Sequence, residues 1–214
     1  MKSASSYEMH ALDFLDARDK STIGADVVAR WARELPVGAD VIEIACGGGY
    51  PVSRVLVDSG VNLWAIDASP TLLEQFRLRF PNVPTRCSLA LESDYFGKEF
   101  GAAVAIGLLF LLEEAGQLAF LRRVSEILLP GGRFLFTAPI QTGVWRDTCT
   151  GQECRSLGRV RYVQTLEDAG FCLIGTHVDE GQNNYYDVQK ISGSGEARHS
   201  KPTPDRAPKM RVPS

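Results

Sequence analysis

The chain has few histidines and no closely spaced pair of cysteines. Its 214 residues include three histidines and five cysteines, and no Cys-x-x-Cys pair occurs. The odd cysteine count argues against a complete disulfide framework, and no zinc-ligand spacing can be assembled from so few histidines. We therefore expect no metal site, and we expect reduced thiols at Cys46, Cys87, Cys149, Cys154 and Cys172.

Long apolar runs are also absent. The longest such stretch, residues 102–112, has 11 residues and contains a glycine, too few to cross a bilayer. The first residues after Lys2 are polar and lack the apolar region of a secretion signal. A cytoplasmic protein that does not span a membrane is predicted.

Charge is distributed unevenly along the chain. The whole chain has a formal net charge of −3, and residues 191–214 carry five basic and two acidic side chains, which leaves −6 for residues 1–190. An acidic body makes nucleic acid an unfavourable partner. The serine-, glycine- and proline-rich end is typical of a disordered tail. Its basic residues could touch an anionic surface, but such an end is more often a solvated extension.

The most informative segment is residues 41–51, VIEIACGGGYP. An apolar run bounded by glycine is typical of a parallel strand that is buried on both faces. Glycines 47–49 allow a sharp turn and the close approach of a ligand, and Pro51 suits the first turn of a helix. The unpaired N–H groups at the start of that helix would face the ligand.

The acidic residue before the glycines indicates which kind of ligand binds. A dinucleotide would place its pyrophosphate on the turn, where Glu43 would repel it by roughly several kcal/mol at an effective dielectric near 20. The dinucleotide fingerprint also requires glycine three residues after its second, and this chain has Val52 there. A cationic ligand is favoured instead.

The alternation of Glu43, Ala45, Gly47 and Gly49 closely resembles motif I of the class I S-adenosylmethionine-dependent methyltransferases. Ala45 stands at the first glycine of that motif. The resemblance covers about residues 20–190 and implies S-adenosylmethionine as cofactor. By resemblance, the motif contributes the cofactor-binding residues Glu43, Ala45, Cys46, Gly47 and Gly49.

A second acidic residue supports the same interpretation. The apolar run 63–66 ends at Asp67, 20 residues after Gly47, where an acid can accept hydrogen bonds from both ribose hydroxyls of an adenosine. Ser69 and Pro70 provide an N-cap and a first-turn proline for the next helix. The segment after Asp67 also resembles the family, which adds Ala68 and Ser69 to the cofactor-binding residues.

Helical and strand patterns alternate along the rest of the chain. We predict strands at 41–45, 63–66, 84–89, 101–106, 133–138, 171–178 and 185–190, with a hairpin turn at 179–184. Helices are predicted at 5–18, 21–35 and 158–169, after the glycine turn, after Ser69, and before Pro130. The expected fold is α/β: a doubly wound, mostly parallel, seven-stranded Rossmann-like sheet with a C-terminal antiparallel hairpin. One domain is expected at 1–190, with an N-terminal helical cap at about 1–36, followed by the tail at 191–214.

Ligands bind such sheets beyond the carboxyl ends of the strands. The other segments at that edge are 91–96, 107–110, 140–157 and 179–184. The family resemblance places Leu91 and Glu92 at the adenine and Gly107 and Leu108 under the methionine part. Arg18 is a candidate for the methionine carboxylate.

Methyl transfer from a sulfonium requires alignment and exclusion of water more than covalent help from the protein. A hydroxyl or ammonium acceptor also needs a base. The catalytic residues cannot be assigned from the sequence, and four weak candidates are Asp147, Glu180, Tyr185 and His177. Three aromatic residues could wall a substrate pocket, namely Trp145, Tyr185 and Tyr186.

The acceptor is predicted to be a small molecule. The Asn/Asp-Pro-Pro-Tyr motif of nucleic-acid amino methyltransferases is replaced by residues 106–109, and no cysteine follows a proline. Two alternatives stay open: a nucleotide-dependent oxidoreductase on a similar sheet, and a catalytically inactive adenosylmethionine-binding protein, which Ala45, Ala90 and Gly101 would permit. The acceptor atom and the oligomeric state are not specified by the sequence.

Overall fold

The computed structural model describes residues 8–147 and 150–192, so the predicted tail lies mostly outside the described residues. Within them, helices flank a central sheet. The strands are β1 Asp40–Ile44, β2 Asn62–Asp67, β3 Thr85–Cys87, β4 Phe100–Ala105, β5 Leu128–Thr137, β6 Thr142–Arg146, β7 Glu153–Leu157, β8 Phe171–Val178 and β9 Asn184–Lys190. The helices are α1 Ala11–Asp19, α2 Ala25–Arg33, α3 Val52–Asp58, α4 Pro70–Arg79, α5 Glu114–Ile127 and α6 Arg159–Asp168.

The central sheet has seven strands in the order β3-β2-β1-β4-β5-β9-β8. The first five are parallel, whereas β9 is antiparallel to β5 and to β8. The predicted fold class and terminal hairpin are therefore confirmed. Because the chain runs outward from β1 to β3 and then returns to β4 on the other side of β1, the strand order reverses between β1 and β4, where ligands bind in open α/β sheets.

Alternating side chains of the strands form a core on each face of the sheet. Ile42 and Ile44 of β1 belong to the cluster that includes the apolar side of α5 and α6. Val41 belongs to the opposite cluster, with residues of α2, α3 and α4. Period-two alternation in β1 thus separates two layers of helices, as expected for a doubly wound fold.

Several elements differ from their predicted bounds. Strand β3 has three residues instead of six, and β5 begins at Leu128 because the segment through Pro130 to Gly132 is itself extended. The main unpredicted element is the antiparallel hairpin of β6 and β7, which forms a separate two-stranded sheet. In the described residues, no helix has the length and apolar character needed to cross a membrane.

Helix α1 packs outside the two main cores. Ala11 and Leu15 form a small cluster with Leu72 of α4, and Phe14 packs against it. Just before α1, Glu8 accepts hydrogen bonds from the hydroxyls of Ser69 and Thr71 at the start of α4. These contacts place α1 beside the glycine turn and the carboxyl ends of β1 and β2.

Candidate cofactor and acceptor site

A cavity of about 400 Å³ lies at the carboxyl ends of β1, β2 and β4. From the glycine turn it is lined by Glu43, Ala45, Cys46 and Gly47. The segment after β2 contributes Asp67, Ala68 and Ser69. The other predicted cofactor residues in its lining are Arg18, Leu91, Glu92, Gly107 and Leu108. Of the predicted cofactor residues, only Gly49 is outside the lining.

The backbone of the turn is fixed by the neighbouring strand. The N–H groups of Ala45 and Cys46 both donate to the carbonyl oxygen of Ile66, at 2.9 and 3.1 Å. The φ angles of Ala45 and Gly47 are 63° and 55°. Both residues therefore adopt the left-handed conformation, which costs an alanine roughly 1 to 2 kcal/mol. The chain turns sharply at this point, directly beside the cavity.

Gly48 and Gly49 serve the packing around the turn. A Cβ at Gly48 would lie 2.2 Å from Leu15 of α1, and one at Gly49 would lie 2.4 Å from the ring of Phe80. Gly49 also has a φ of 94°. The sequence assigned Gly49 to the cofactor, but the structure places it against Phe80.

Asp67 ends β2 and connects two backbone segments. One carboxylate oxygen accepts from the N–H of Gly47 at 2.7 Å, and the other accepts from the N–H of Ser69 at 2.8 Å. Burial raises the pKa of Asp67, while these two N–H groups act to lower it. A carboxylate has about four acceptor positions, so Asp67 can hold the turn and still accept hydrogen bonds from a ligand.

Glu43 lies in β1 below the turn and is 4% exposed. Its Oε2 accepts a hydrogen bond from the hydroxyl of Ser53 at 2.5 Å. Burial raises the pKa of Glu43 to about 8; the bond from Ser53 opposes the shift, the charge of Asp67 adds to it, and the charge of Arg18 opposes it. The charges of Asp67 and Arg18 therefore both influence the protonation of Glu43 in the cavity.

Arg18 reaches the cavity from α1, together with Phe14 one helical turn earlier. Phe14 lies over the glycine turn, because a Cβ at Gly47 would be 3.2 Å from its ring. Helix α1 thus contributes both a cation and an apolar side chain to the site.

On the opposite wall, Gly107 follows β4 with a φ of 77°. Its N–H donates to the hydroxyl of Thr137, at the end of β5, at 2.8 Å. Thr137 itself lines the cavity. This bond joins the ends of two adjacent strands at the site.

The predicted aromatic residues lie outside the cavity lining. Tyr185 is buried and its hydroxyl donates to Asp179 at 2.8 Å, and burial is the main cause that raises its pKa. Tyr186 faces the other side of the sheet, where its ring stacks on Phe136. Trp145 is 37% exposed, and its ring centroid is 5.5 Å from that of Phe110, which does line the cavity.

The four weak catalytic candidates are not brought together. Asp147 lines the cavity. Glu180 is exposed in the β8–β9 turn, and His177 lies in a separate cleft beside α2, 3.9 Å from a carboxylate oxygen of Asp187. Tyr185 is occupied by its bond to Asp179. Asp147 alone among the four lies in the cavity lining.

Several residues that line the cavity, and the hydrogen-bond partner of Glu43, were not predicted from the sequence. Phe14 precedes Arg18 by four residues, so the helical period could have identified it. Ser53 and Thr137 act through hydrogen bonds between elements, which no local pattern encodes. Phe110 and Asn183 line the cavity from a 3₁₀ turn and the β8–β9 hairpin, within segments whose edge position was predicted but whose inward-facing residues were not.

Comparison with known proteins identifies this part of the chain. A family model described as a methyltransferase domain matches residues 41–132. Residues 41–132 are therefore similar to a methyltransferase domain. The match begins in β1 and ends within β5, and it contains the glycine turn, Asp67 and Gly107.

Two relatives show similarity over about half of this chain. The ubiquinone biosynthesis O-methyltransferase of Xanthomonas axonopodis pv. citri is 28% identical over 109 residues, which are 50% of this chain and 45% of the relative. The tRNA U34 carboxymethyltransferase of Idiomarina loihiensis is 24% identical over 128 residues, which are 53% of this chain and 38% of that protein. The matched part of the chain thus spans less than half the length of each relative.

Similarity to a solved structure extends further along the chain. The Burkholderia thailandensis 1,6-didemethyltoxoflavin-N1-methyltransferase, solved with its bound substrate and S-adenosylhomocysteine, has a TM-score of 0.64 and is 18% identical. The match covers 85% of this chain and 87% of that one. The chain therefore shares its fold with this methyltransferase, as expected from the resemblance in motif I.

Proposed function

We propose that the chain is an S-adenosylmethionine-dependent methyltransferase that acts on a small-molecule acceptor. The single observation that carries the proposal is the convergence of Glu43, Asp67 and Arg18, from three separate elements, on one cavity beside the glycine turn. This set offers carboxylates for ribose hydroxyls and a cationic amino-acid group, and a guanidinium for a carboxylate. The family match and the fold agree with this assignment.

The chemistry of the transfer requires little from the protein beyond alignment. A lone pair of the acceptor attacks the methyl carbon while the carbon–sulfur bond breaks, and the electron pair of that bond stays on sulfur in S-adenosylhomocysteine. A proton carried by the acceptor leaves to a base or to solvent. Positioning can supply up to roughly 7 to 11 kcal/mol of the barrier reduction in well-oriented reactions. The buried turn and the walls of the cavity are suited to that role.

A nucleotide-dependent oxidoreductase is the rival that the sequence left open. Glu43 and Asp67 both line the cavity, so a pyrophosphate on the turn would face two acidic side chains instead of basic ones. An acceptor of small size is supported by the relative that acts in ubiquinone biosynthesis, whereas the tRNA-modifying relative keeps nucleic acid as the competing class.

Calorimetric titration tests the cofactor directly. S-adenosylmethionine and S-adenosylhomocysteine should both bind, and NADH should not. Asp67→Asn should weaken S-adenosylhomocysteine binding by about 1.5 to 3 kcal/mol if the acid makes charged hydrogen bonds to the ribose. Asp58→Asn, at an exposed position in α3, is the matched control and should bind like the parent.

Two results would reject the proposal. Tight NADH binding without S-adenosylmethionine binding would favour the oxidoreductase. Affinity for S-adenosylhomocysteine without methyl transfer to any acceptor, in a panel that includes small molecules and tRNA, would favour an inactive binding protein. Thermal unfolding of Asp67→Asn must accompany the titration, because Asp67 also holds the N–H groups of Gly47 and Ser69.

A further inference from the structure

The β6–β7 hairpin brings an aromatic ring and a carboxylate to one side of the cavity. Trp145 and Asp147 are two residues apart along β6 and its continuation, where the N–H of Asp147 still bonds to the carbonyl of Gln152 at 2.7 Å. Side chains two residues apart on a strand project from the same face. Trp145 contacts Phe110, and both Phe110 and Asp147 line the cavity.

The hairpin is attached firmly to the body of the protein. Leu157, at the end of β7, donates its N–H to the hydroxyl of Tyr162, which in turn donates to the side-chain oxygen of Gln117 at 2.7 Å. The amide nitrogen of Gln117 donates to the carbonyl of Arg155 at 3.0 Å. Gln117 and Tyr162 are fully buried. The fold therefore sets the position of the hairpin relative to the cavity.

The carboxylate of Asp147 is oriented by its own turn. Its Oδ2 accepts from the N–H of Thr150 at 2.9 Å and from the hydroxyl of Thr150 at 2.6 Å. This arrangement fixes the side chain on the wall of the cavity, on the same side as Phe110. A negative group is thereby held next to an aromatic pair.

The charges of the cavity favour a cationic occupant. In the described lining, the acidic residues Glu43, Asp67, Glu92 and Asp147 are opposed by the single basic residue Arg18. If Glu43 and Asp67 serve the cofactor together with Arg18, and Glu92 lies at the adenine as the family resemblance implies, the acceptor side retains the carboxylate of Asp147. An anionic acceptor would be repelled there, whereas a protonated amine would gain a charge-assisted hydrogen bond.

The aromatic pair of Phe110 and Trp145 adds a second criterion for the acceptor. The rings of Phe110 and Trp145 are tilted by 48° with centroids 5.5 Å apart, and Trp145 is exposed enough to contact a ligand. Aromatic side chains favour offset stacking with another ring, and they also attract cations. A flat ring that carries an aliphatic amine would match both the aromatic pair and the carboxylate.

We propose that the acceptor is an arylalkylamine, whose protonated aliphatic nitrogen binds Asp147 and whose ring packs on Phe110 and Trp145. This inference rests on the proposed function, because it concerns the acceptor side of the same cavity. The amine and the ring are the features that bind the acceptor to the protein. The methyl group is transferred to whichever nucleophilic atom of the acceptor the cavity aligns with it.

Binding to the S-adenosylhomocysteine-saturated protein tests the inference with matched fragments. Phenethylamine should bind more tightly than phenethyl alcohol, and hydrocinnamate, which carries a carboxylate, should bind least. Asp147→Asn keeps the size of the side chain and an acceptor for Thr150, and it should weaken phenethylamine binding by roughly tenfold or more. Phenethyl alcohol should bind this variant about as well as the parent.

Glu153→Gln is the control for a lost charge on the same hairpin. Glu153 starts β7, is exposed, and pairs with Arg155, so its variant should bind every fragment like the parent. Trp145→Leu should weaken phenethylamine more than it weakens cyclohexylethylamine, because only the former has an aromatic ring. Fragment binding can be measured by NMR at constant S-adenosylhomocysteine concentration.

The outcomes separate this inference from the function on which it rests. Failure to bind S-adenosylhomocysteine would reject the proposed function and the inference with it. If S-adenosylhomocysteine binds normally, the proposed function is retained and only the inference is under test. The inference would then be overturned if phenethylamine does not bind, or if phenethyl alcohol or hydrocinnamate binds as tightly as phenethylamine. Equal effects of Asp147→Asn and Glu153→Gln on phenethylamine binding would also overturn it. The fragment order in the parent decides the question even if a variant fails to fold.

Discussion

Ala45 holds a backbone conformation that favours glycine. Its φ of 63° lies in the left-handed region, where an alanine costs roughly 1 to 2 kcal/mol. Replacing Ala45 by glycine removes that strain, although the greater freedom of glycine in the unfolded chain offsets about 0.4 to 1 kcal/mol. We expect Ala45→Gly to raise the free energy of unfolding by about 0.5 to 1 kcal/mol, measured as a higher urea midpoint with an unchanged slope.

Ala119→Gly provides the matched control for this substitution. Ala119 is exposed in the middle of α5, where glycine should lower the free energy of unfolding by about 1 kcal/mol. If both variants lose stability to the same extent, the strain assigned to Ala45 is not present.

Single residues differ in how well the sequence predicts their place. Glu43 and Asp67 follow from the end of a buried strand and from spacing along the chain, and both line the cavity. Ser53 could not be predicted as the partner of Glu43, because ten residues separate them and the bond depends on how α3 folds back against β1. Tyr185 was predicted near the acceptor from its position after a turn, but its hydroxyl donates to Asp179 at the other end of that turn.

Elements with strong periodicity were predicted well, and the hairpin of β6 and β7 was not. The side chains of β6 are exposed along its whole length, so neither an alternating pattern nor an apolar run marks it as a strand. It pairs with β7. The first pair of this ladder joins Thr142 to Leu157, which lies 15 residues later in the chain. Such a strand is defined by its partner and by anchoring to α5 and α6, which a local pattern does not contain.

Helix α1 is joined to the glycine turn through one arginine of α4. Arg79 makes two hydrogen bonds to the carboxylate of Asp19, at 2.8 and 2.5 Å, and one to the carbonyl of Gly48 at 2.9 Å. Its guanidinium also lies 4.9 Å from the ring centroid of Tyr50. An isolated surface ion pair contributes about 0 to 1 kcal/mol, but this paired geometry with a backbone contact should contribute more.

We expect Arg79→Ala to loosen α1 without destabilising the central sheet. A local loss of about 1 to 2 kcal/mol corresponds to amide hydrogen exchange in Ala11–Asp19 that is roughly 5 to 30 times faster. Exchange measured by mass spectrometry should show no change in β1 and β4. The control is Arg77→Ala on the same helix, because Arg77 bonds to Thr85 and not to α1. Equal exchange in the two variants would exclude the proposed link.

For the molecule as a whole, the buried carboxylate of Glu43 makes stability depend on pH. Its ordinary pKa is 4.5, and burial raises the pKa to about 8 in the folded state. The folded state holds the proton of Glu43 more tightly than the unfolded state does. The contribution of this proton to the free energy of unfolding is therefore fully present below about pH 4.5 and is lost as the pH rises to about 8. The maximal loss is on the order of 5 kcal/mol. Asp67 has its pKa raised in the same direction, so two groups favour the folded state at low pH.

We therefore expect Glu43→Gln to flatten the pH dependence of unfolding between pH 4.5 and 8. Glutamine keeps an oxygen that can accept the hydrogen bond from Ser53 but carries no charge, so the variant should gain stability over the parent by a few kcal/mol as the pH approaches 8. Urea unfolding at several pH values measures this difference, with Glu126→Gln as the control, because Glu126 is exposed and pairs only with Arg123 among the described contacts. Parallel pH profiles for the parent and Glu43→Gln would contradict the assignment. If the parent regains the lost stability near pH 8 when S-adenosylmethionine is added, and Glu43→Gln does not, the carboxylate is neutralised by the cationic cofactor.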